Sequence, residues 1–234
     1  DGEKLEKSAL IQGAPGQGCG HNLLGTGGVK AAIAVREAIE KFGLKGTVKV
    51  FGSPAEELCL GKPYMGRAGC YDGVDAFLDW HPWSYTKANY DSCQAYFSKK
   101  YHFKGRTSHG NSPWHGRSAL DAGQLMGHAI DILREHIYPG NPPDAANTIN
   151  YTYTSTGPEF PSVVPDYTTV WVIGRFETTE EMLGSLARVD KCAQAGALAT
   201  ETTVEEEVIT ITHHKIPNKV LAEKFYRNLH TIGV

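Results

Sequence analysis

The 234-residue sequence is poor in concentrated charge. Nowhere do five like charges run together; the densest group is Glu205-Glu206-Glu207, and 23 Lys plus Arg face 26 Asp plus Glu. Without a basic tract there is no electrostatic footprint for nucleic acid or an anionic membrane, so neither partner is expected. No apolar stretch approaches the ~18 residues a bilayer span needs, and the first ten residues carry charge throughout, so neither a spanning helix nor a signal peptide is expected. Cysteine is also scarce: Cys19, Cys59, Cys70, Cys93 and Cys192 are five, with no C-x-x-C spacing. An odd number without framework spacing argues against structural disulfides and for a reducing compartment, by default the cytoplasm.

What is present is ordinary globular composition, 41% hydrophobic and 21% charged, with 26 glycines and 12 prolines. At this length two modest domains are the better expectation. Val29, Ala32, Ile33, Val35, Ile39 and Phe42 recur at three- and four-residue steps before Gly43, which predicts an amphipathic helix with a glycine stop. Short β-branched or apolar runs at 47–51 and 76–80, with a short helix between them at 62–68, predict β-α-β alternation and a mostly parallel sheet. In such sheets chemistry gathers at the carboxyl ends of strands, where Glu56, Glu57 and His81 fall.

After about residue 92 the pattern changes. Alternation at 95–103 predicts a half-buried strand, and Leu120, Leu125, Met126, Ala129, Leu133 and Ile137 predict the inward stripe of a following helix. Strands at 148–154 and 168–176 come next, then a helix from 179 to about 199 with Leu183, Leu186, Val189 and Ala193 inward. A strand at 203–212 completes a β-α-β-β-α-β order, the ferredoxin-like unit. Asn218 is placed to cap a last helix that Gly233 stops. The expected organisation is therefore an α/β, mostly parallel-sheet domain over 1–92, an inserted α+β ferredoxin-like domain over 93–213, and the start of a return to the first domain over 214–234.

Three short motifs carry chemistry. Gly18-Cys19-Gly20-His21-Asn22 sets a thiol and an imidazole two residues apart between glycines that let the backbone turn, a donor pair suited to zinc or another borderline metal. The plain alternative is a buried Cys beside a surface His; a Cys nucleophile with a His base is a third. Pro54-Ala55-Glu56-Glu57 follows the 47–51 run. In extended backbone adjacent carboxylates point to opposite sides, so one would bind metal and the other manage the proton of an attacking water, unless the pair is simply a solvated acidic loop. His81 ends an apolar run before Pro82, as a ligand or as a hydrogen-bonded structural histidine. Three such candidates at three strand ends of one sheet favour a metal-hydrolase site over coincidence.

These motifs, in this order, resemble those of the zinc-dependent amidohydrolases and exopeptidases of the aminoacylase and glutamate-carboxypeptidase superfamily, over essentially the whole chain. The resemblance implies metal ligands Cys19, His21, Glu57 and His81 for two divalent ions, zinc or manganese, with Glu56 as general base. The inserted domain resembles the family's lid and dimerisation domain. Gly105-Arg106-Thr107-Ser108-His109-Gly110-Asn111-Ser112-Pro113 is similar to its G-x-x-x-H-x-x-x-P segment, which implies that His109 stabilises an oxyanion in the other subunit of a homodimer. Arg175 matches an arginine near the substrate carboxylate, and Ser162 stands where the family's N-V-V-P-D has a substrate-binding Asn. Asn22 replaces the Asp of the broader family, as in its aminobenzoyl-glutamate branch.

The resemblance also implies further sequence on both sides of this chain, including a last histidine ligand. The activity it implies is hydrolysis of the amide in N-acyl or N-aroyl amino acids, aminobenzoyl-glutamate among them. A non-catalytic dimerising fragment with an incomplete metal site and a metal-free Cys19 hydrolase are the competing readings.

Overall fold

The computed structural model describes residues 11–14, 16, 18–141 and 145–234. Its elements are α1 (His21–Phe42), α2 (Gly61–Arg67), β1 (Ala95–Lys104), α3 (Ala119–Arg134), the two-residue strands β2 (Gly140–Asn141) and β3 (Ala145–Ala146), β4 (Thr148–Ser155), β5 (Tyr167–Phe176), α4 (Thr179–Ala199), β6 (Thr203–Thr212) and α5 (Lys219–Thr231). Four strands form one sheet in the order β4-β5-β1-β6, every neighbouring pair antiparallel. No helix among the described residues is long and apolar enough to cross a membrane.

Side chains alternate across a pleated strand, so one face of the sheet collects the odd positions of β1 and the even positions of β5. These include Phe97, Tyr101 and Phe103 with Val170, Val172 and Phe176, all buried against α3 and α4. The helix stripes differ from the sequence expectation. Leu125 and Leu183 are exposed, while Ala122, Gly123, Met126 and Gly127 of α3 and Met182, Ser185, Gly196 and Ala197 of α4 point inward. The reason is close approach of the two helices: a Cβ on Gly196 would stand 2.5 Å from the Ala122 carbonyl oxygen, so small residues occupy the seam. Both helices begin at side-chain caps, Ser118 accepting from the Asp121 N–H and Thr178 from the Glu181 N–H.

Lys99 lies on the same inner face and is only 5% exposed. Its ammonium donates to Asp190 on α4 at 2.7 Å and to Glu206 on β6 at 2.6 Å, and the Tyr101 hydroxyl donates to the same Asp190 oxygen at 2.6 Å. Burial works against the charged form of Lys99, yet the two carboxylates outweigh it and hold its pKa above the ordinary lysine value. A buried cation is tolerable only when paired in this way, and the pairing fixes α4 over the sheet.

Two sequence expectations are revised. The runs at 47–51 and 76–80 belong to no ladder, and the described residues contain no parallel sheet. Strand structure requires a hydrogen-bonded neighbour, and neither run finds one among the described residues. The first helix starts at His21, eight residues before the expected Val29, because Gly20 in the left-handed region (φ 89°) turns the chain and its carbonyl accepts from the Leu23 and Leu24 N–H groups. Gly43 ends it as expected, at φ 61°.

The sheet reaches the N-terminal half through one irregularity. A shift in the β1–β6 register between Ser98 and Lys99 gives β6 an extra residue, after which Thr210 pairs with Ser98. Thr210 is buried, and its hydroxyl donates to the Cys59 carbonyl at 2.7 Å. The segments entering and leaving the sheet are also tied together: the Lys215 N–H donates to the Cys93 carbonyl at 2.9 Å, and the Ser92 hydroxyl to the Lys215 carbonyl at 2.8 Å.

Gly196→Ala separates two physical effects. Helix propensity alone favours alanine by about 1 kcal/mol, while forcing a methyl against the Ala122 carbonyl costs about 1–3 kcal/mol. Urea denaturation is expected to show net destabilisation; a more stable variant would mean that the helices separate freely.

Candidate metal centre

The site is assembled by a helix start, a turn and the segment beyond an indole anchor. Gly20 sets Cys19 and His21 on either side of the start of α1. Residues 56–58 form a single 3-10 turn flanked by Ala55 and Cys59 at φ 50° and 54°, a conformation that is strained for non-glycine residues. The Thr210 hydroxyl holds the far end of that turn by the Cys59 carbonyl. Trp80 anchors the third segment to α1: its indole N–H donates to the Leu24 carbonyl at 3.3 Å, and a Cβ on Gly27 would stand 2.6 Å from the ring. His81 follows directly.

The His21 Nε2 lies 2.9 Å from Glu57 Oε1 and 3.6 Å from Glu56 Oε2. This corrects the expectation of carboxylates pointing apart: that geometry belongs to extended backbone, and in the turn both approach one imidazole. Cys19 Sγ lies 3.0 Å from His81 Nε2. The other His81 nitrogen, Nδ1, is 2.8 Å from the Pro82 carbonyl. A carbonyl only accepts, so the neutral ring carries its proton on Nδ1 and turns the Nε2 lone pair toward Cys19. A backbone carbonyl behind one ring nitrogen is how a ligating histidine is commonly oriented.

Cys19, His21 and Glu57 offer one donor atom each, all within 4.8 Å of one another. Donors held about 2.0–2.3 Å from one tetrahedral ion lie roughly 3.3–3.8 Å apart, so a small contraction would seat a metal. The charges agree. Desolvation, then the hydrogen bond and charge of Glu57 and the charge of Glu56, push the Cys19 thiol above its ordinary pKa. Hydrogen bonds from His21 and Cys19 hold the Glu57 carboxyl below its own. A thiol and two carboxyls are thus gathered with no ion pair to a lysine or arginine among the described residues, an arrangement that a cation completes. The four donor residues, with Gly16, Gly18, Pro82 and Trp83, line an open cleft of about 610 Å³.

The other expected site residues lie elsewhere. His109 sits at the tip of the 105–118 loop, bridged to Val163, with the Gly110 N–H donating to the Ser162 carbonyl at 2.6 Å. His109 and Ser162 are therefore neighbours. The Asn111 N–H donates to His109 Nδ1 at 3.2 Å, leaving the proton of the neutral, exposed ring on Nε2. Arg175 lies over the Tyr96 ring, 4.9 Å from its centroid, and its charge reaches Cys59. No hydrogen bond or ion pair among the described residues joins these three to the Cys19–His21–Glu57 cluster. Sequence reasoning missed Gly27, Trp80 and Trp83; the only available signal was the apolar run ending in Trp80-His81-Pro82-Trp83.

Over 229 residues the chain is 37% identical to one subunit of the p-aminobenzoyl-glutamate hydrolase of Escherichia coli (strain K12), a match covering 97% of this chain and 46% of that protein. Over 227 residues it is 31% identical to the Xaa-Arg dipeptidase of Mus musculus, covering 94% and 50%. By these matches the chain resembles amidohydrolases and peptidases along nearly its whole length. It spans about half the length of the curated relatives it matches. No family model matches. Among solved structures, a putative aminohydrolase from methicillin resistant Staphylococcus aureus superposes with a TM-score of 0.55 at 18% identity over 74% of this chain and 45% of that one, a likeness of fold alone.

Gly27→Ala tests the anchor. The added methyl collides with the Trp80 ring, so residues 80–83 should swing off α1 and carry His81 away from Cys19. Zinc affinity, followed by competition with a chromogenic chelator, should fall by about 10-fold or more, the loss typical when the support of a ligand is removed. Unaltered affinity would show that His81 is no part of the centre.

Proposed function

We propose that this chain forms part of a metal-dependent hydrolase that cleaves the amide between an acyl or aroyl group and an amino acid. The convergence of Cys19, His21 and Glu57, with His81 against Cys19, carries the reading. These four would hold divalent ions, with thiolate and imidazole leaning to zinc and the carboxylate tolerating manganese. Bound there, such an ion supplies Lewis acidity. Glu56 is the proton carrier: its carboxylate stands close to the cluster at 3.6 Å from His21 but outside hydrogen-bond distance. It takes the proton of the attacking water and returns it to the leaving amine.

His109 stabilises the tetrahedral oxyanion through Nε2–H. That no hydrogen bond or ion pair among the described residues joins it to the centre of its own chain suits a contribution to a second subunit, with residues 93–213 as the ferredoxin-like lid and dimerisation domain of a homodimer. The helices on one sheet face and the strand order β4-β5-β1-β6 support that assignment. Residues 1–92 and 214–234 would belong to the catalytic domain. Arg175 and Ser162 meet the amino-acid part of a small N-acyl substrate. The five free cysteines fit a reducing compartment, the cytoplasm.

The 3.0 Å contact between Cys19 and His81 also favours a second reading, a thiol nucleophile with an imidazole base. Nucleophilic cysteines are activated by a lowered pKa, however, and that of Cys19 is raised. Metal content and thiol-reagent sensitivity, measured beside turnover of a panel of N-acyl and N-aroyl amino acids, separate the two.

In the full-length protein Glu56→Gln should keep zinc and lose roughly 10²- to 10⁴-fold in turnover, since the amide cannot take a proton. Glu57→Gln should instead lose zinc, as metal analysis would show. Near-normal turnover in Glu56→Gln removes that residue from the mechanism. Mixing His109→Ala with Glu56→Gln should restore part of the activity through hybrid dimers. No recovery despite proven subunit exchange would end the role of His109 across subunits.

A further inference from the structure

The turn that carries Glu56 and Glu57 is closed against a local cost. The Cys59 N–H donates to the Glu56 carbonyl at 2.8 Å and the Leu60 N–H to the Ala55 carbonyl at 3.2 Å, a pattern that ends a helical turn on a left-handed residue and is normally served by glycine. Here that residue is Cys59, at φ 54°. A side chain is disfavoured in this region, and the conformation lasts only while its surroundings impose it. The chain that follows offers the Cys59 carbonyl nothing. Its helical partner, four residues on, would be the N–H of residue 63, and Pro63 has none.

Thr210 supplies what the local chain lacks. It pairs with Ser98, so its side chain faces away from α3 and α4, and it is only 3% exposed. Its hydroxyl gives the Cys59 carbonyl, at 2.7 Å, the one hydrogen bond which that carbonyl accepts among the described residues. Relaxation of Cys59 to negative φ would rotate the carbonyl away from Thr210, so the bond and the left-handed backbone stand or fall together. Within the same turn, Glu57 Oε1 lies 2.9 Å and Glu56 Oε2 3.6 Å from His21 Nε2. We propose that Thr210 is a positioning residue for the candidate metal centre: by holding Cys59 left-handed it keeps residues 56–58 in their turn and both carboxylates toward His21. The inference rests on the metal-centre reading above and adds to it a residue of the last strand, 151 positions beyond Cys59.

Thr210→Val keeps the shape of the side chain and removes the donor, while Thr210→Ser keeps the donor. In the full-length protein, hydrogen–deuterium exchange of the Cys59 and Leu60 amides should rise roughly tenfold in Thr210→Val, the loss of one buried hydrogen bond that leaves its acceptor unpaired. Zinc affinity, read by chelator competition, should fall with it, and the visible spectrum of the cobalt-loaded protein, which follows ligand geometry, should change. Thr210→Ser should restore all three. Cys59→Gly separates positioning from bulk stability: glycine takes the left-handed conformation without steric cost, so in that background Thr210→Val should raise exchange by no more than about threefold. Equal effects in the two backgrounds, or unchanged exchange in Thr210→Val, overturn the proposal. So does faster exchange with unchanged zinc affinity, which would free the centre from the turn. If Thr210→Val does not fold, Cys59→Gly alone decides, because relief of the strain must slow exchange of the Leu60 amide, and no slowing overturns the proposal. Turnover of the panel of N-acyl and N-aroyl amino acids is read separately. Zinc affinity that follows residue 210 in a protein that hydrolyses none of them upholds the role of Thr210 and removes the hydrolase reading, whereas hydrolysis with exchange and zinc affinity indifferent to residue 210 keeps the hydrolase and overturns the positioning role.

Discussion

The structure rests on a sheet face that must stay dry. Phe97, Tyr101, Phe103, Val170, Val172 and Phe176 lose their contact with water only if α3 and α4 lie flat over them, and the helices do so only because small residues line their seam. That burial fixes the register of β1 against β5 and β6, since a slip of one residue would turn every one of these side chains to the wrong face. Lys99 strengthens the constraint, because its buried ammonium has carboxylate partners only where α4 and β6 now stand.

The candidate metal centre depends on this platform through few contacts. The extra residue in β6 brings Thr210 under the Cys59 carbonyl, and that bond holds the end of the turn carrying Glu56 and Glu57. On the other side α1 holds His81 through the Trp80 indole and the space left by Gly27. Neither contact is large, so the centre is more easily displaced than the sheet. Its electrostatics follow from what is gathered there. Desolvation and the two neighbouring carboxylates make the Cys19 thiol resist becoming a further anion, and a divalent cation is the simplest relief. The same reasoning weighs against the thiol-nucleophile reading, because the carboxylates beside Cys19 raise its thiol although the His81 imidazole lies 3.0 Å away.

Much of this was legible in the residues. Period-two alternation in β1 and period-three-and-four recurrence in α4 are local consequences of backbone geometry, and Gly43 and Asn218 mark helix ends by their own chemistry. The donor types in Cys19, His21, Glu57 and His81 likewise suggested a metal site, and the structure brings donor atoms of the first three within 4.8 Å of one another. Which helix residues point inward was less legible, because an alanine or glycine turned to the core shows only when the neighbouring helix is in place.

The tertiary structure alone decided how those donors meet. A sequence places Glu56 beside Glu57 and says nothing of the left-handed residues at Ala55 and Cys59 that fold the pair into a turn toward His21. It sets His81 62 positions from Cys19, a separation across which only packing can act, and here that packing is one indole against one glycine. Local chemistry fixed the kinds of groups available. Long-range packing fixed their distances, and reactivity depends on distance.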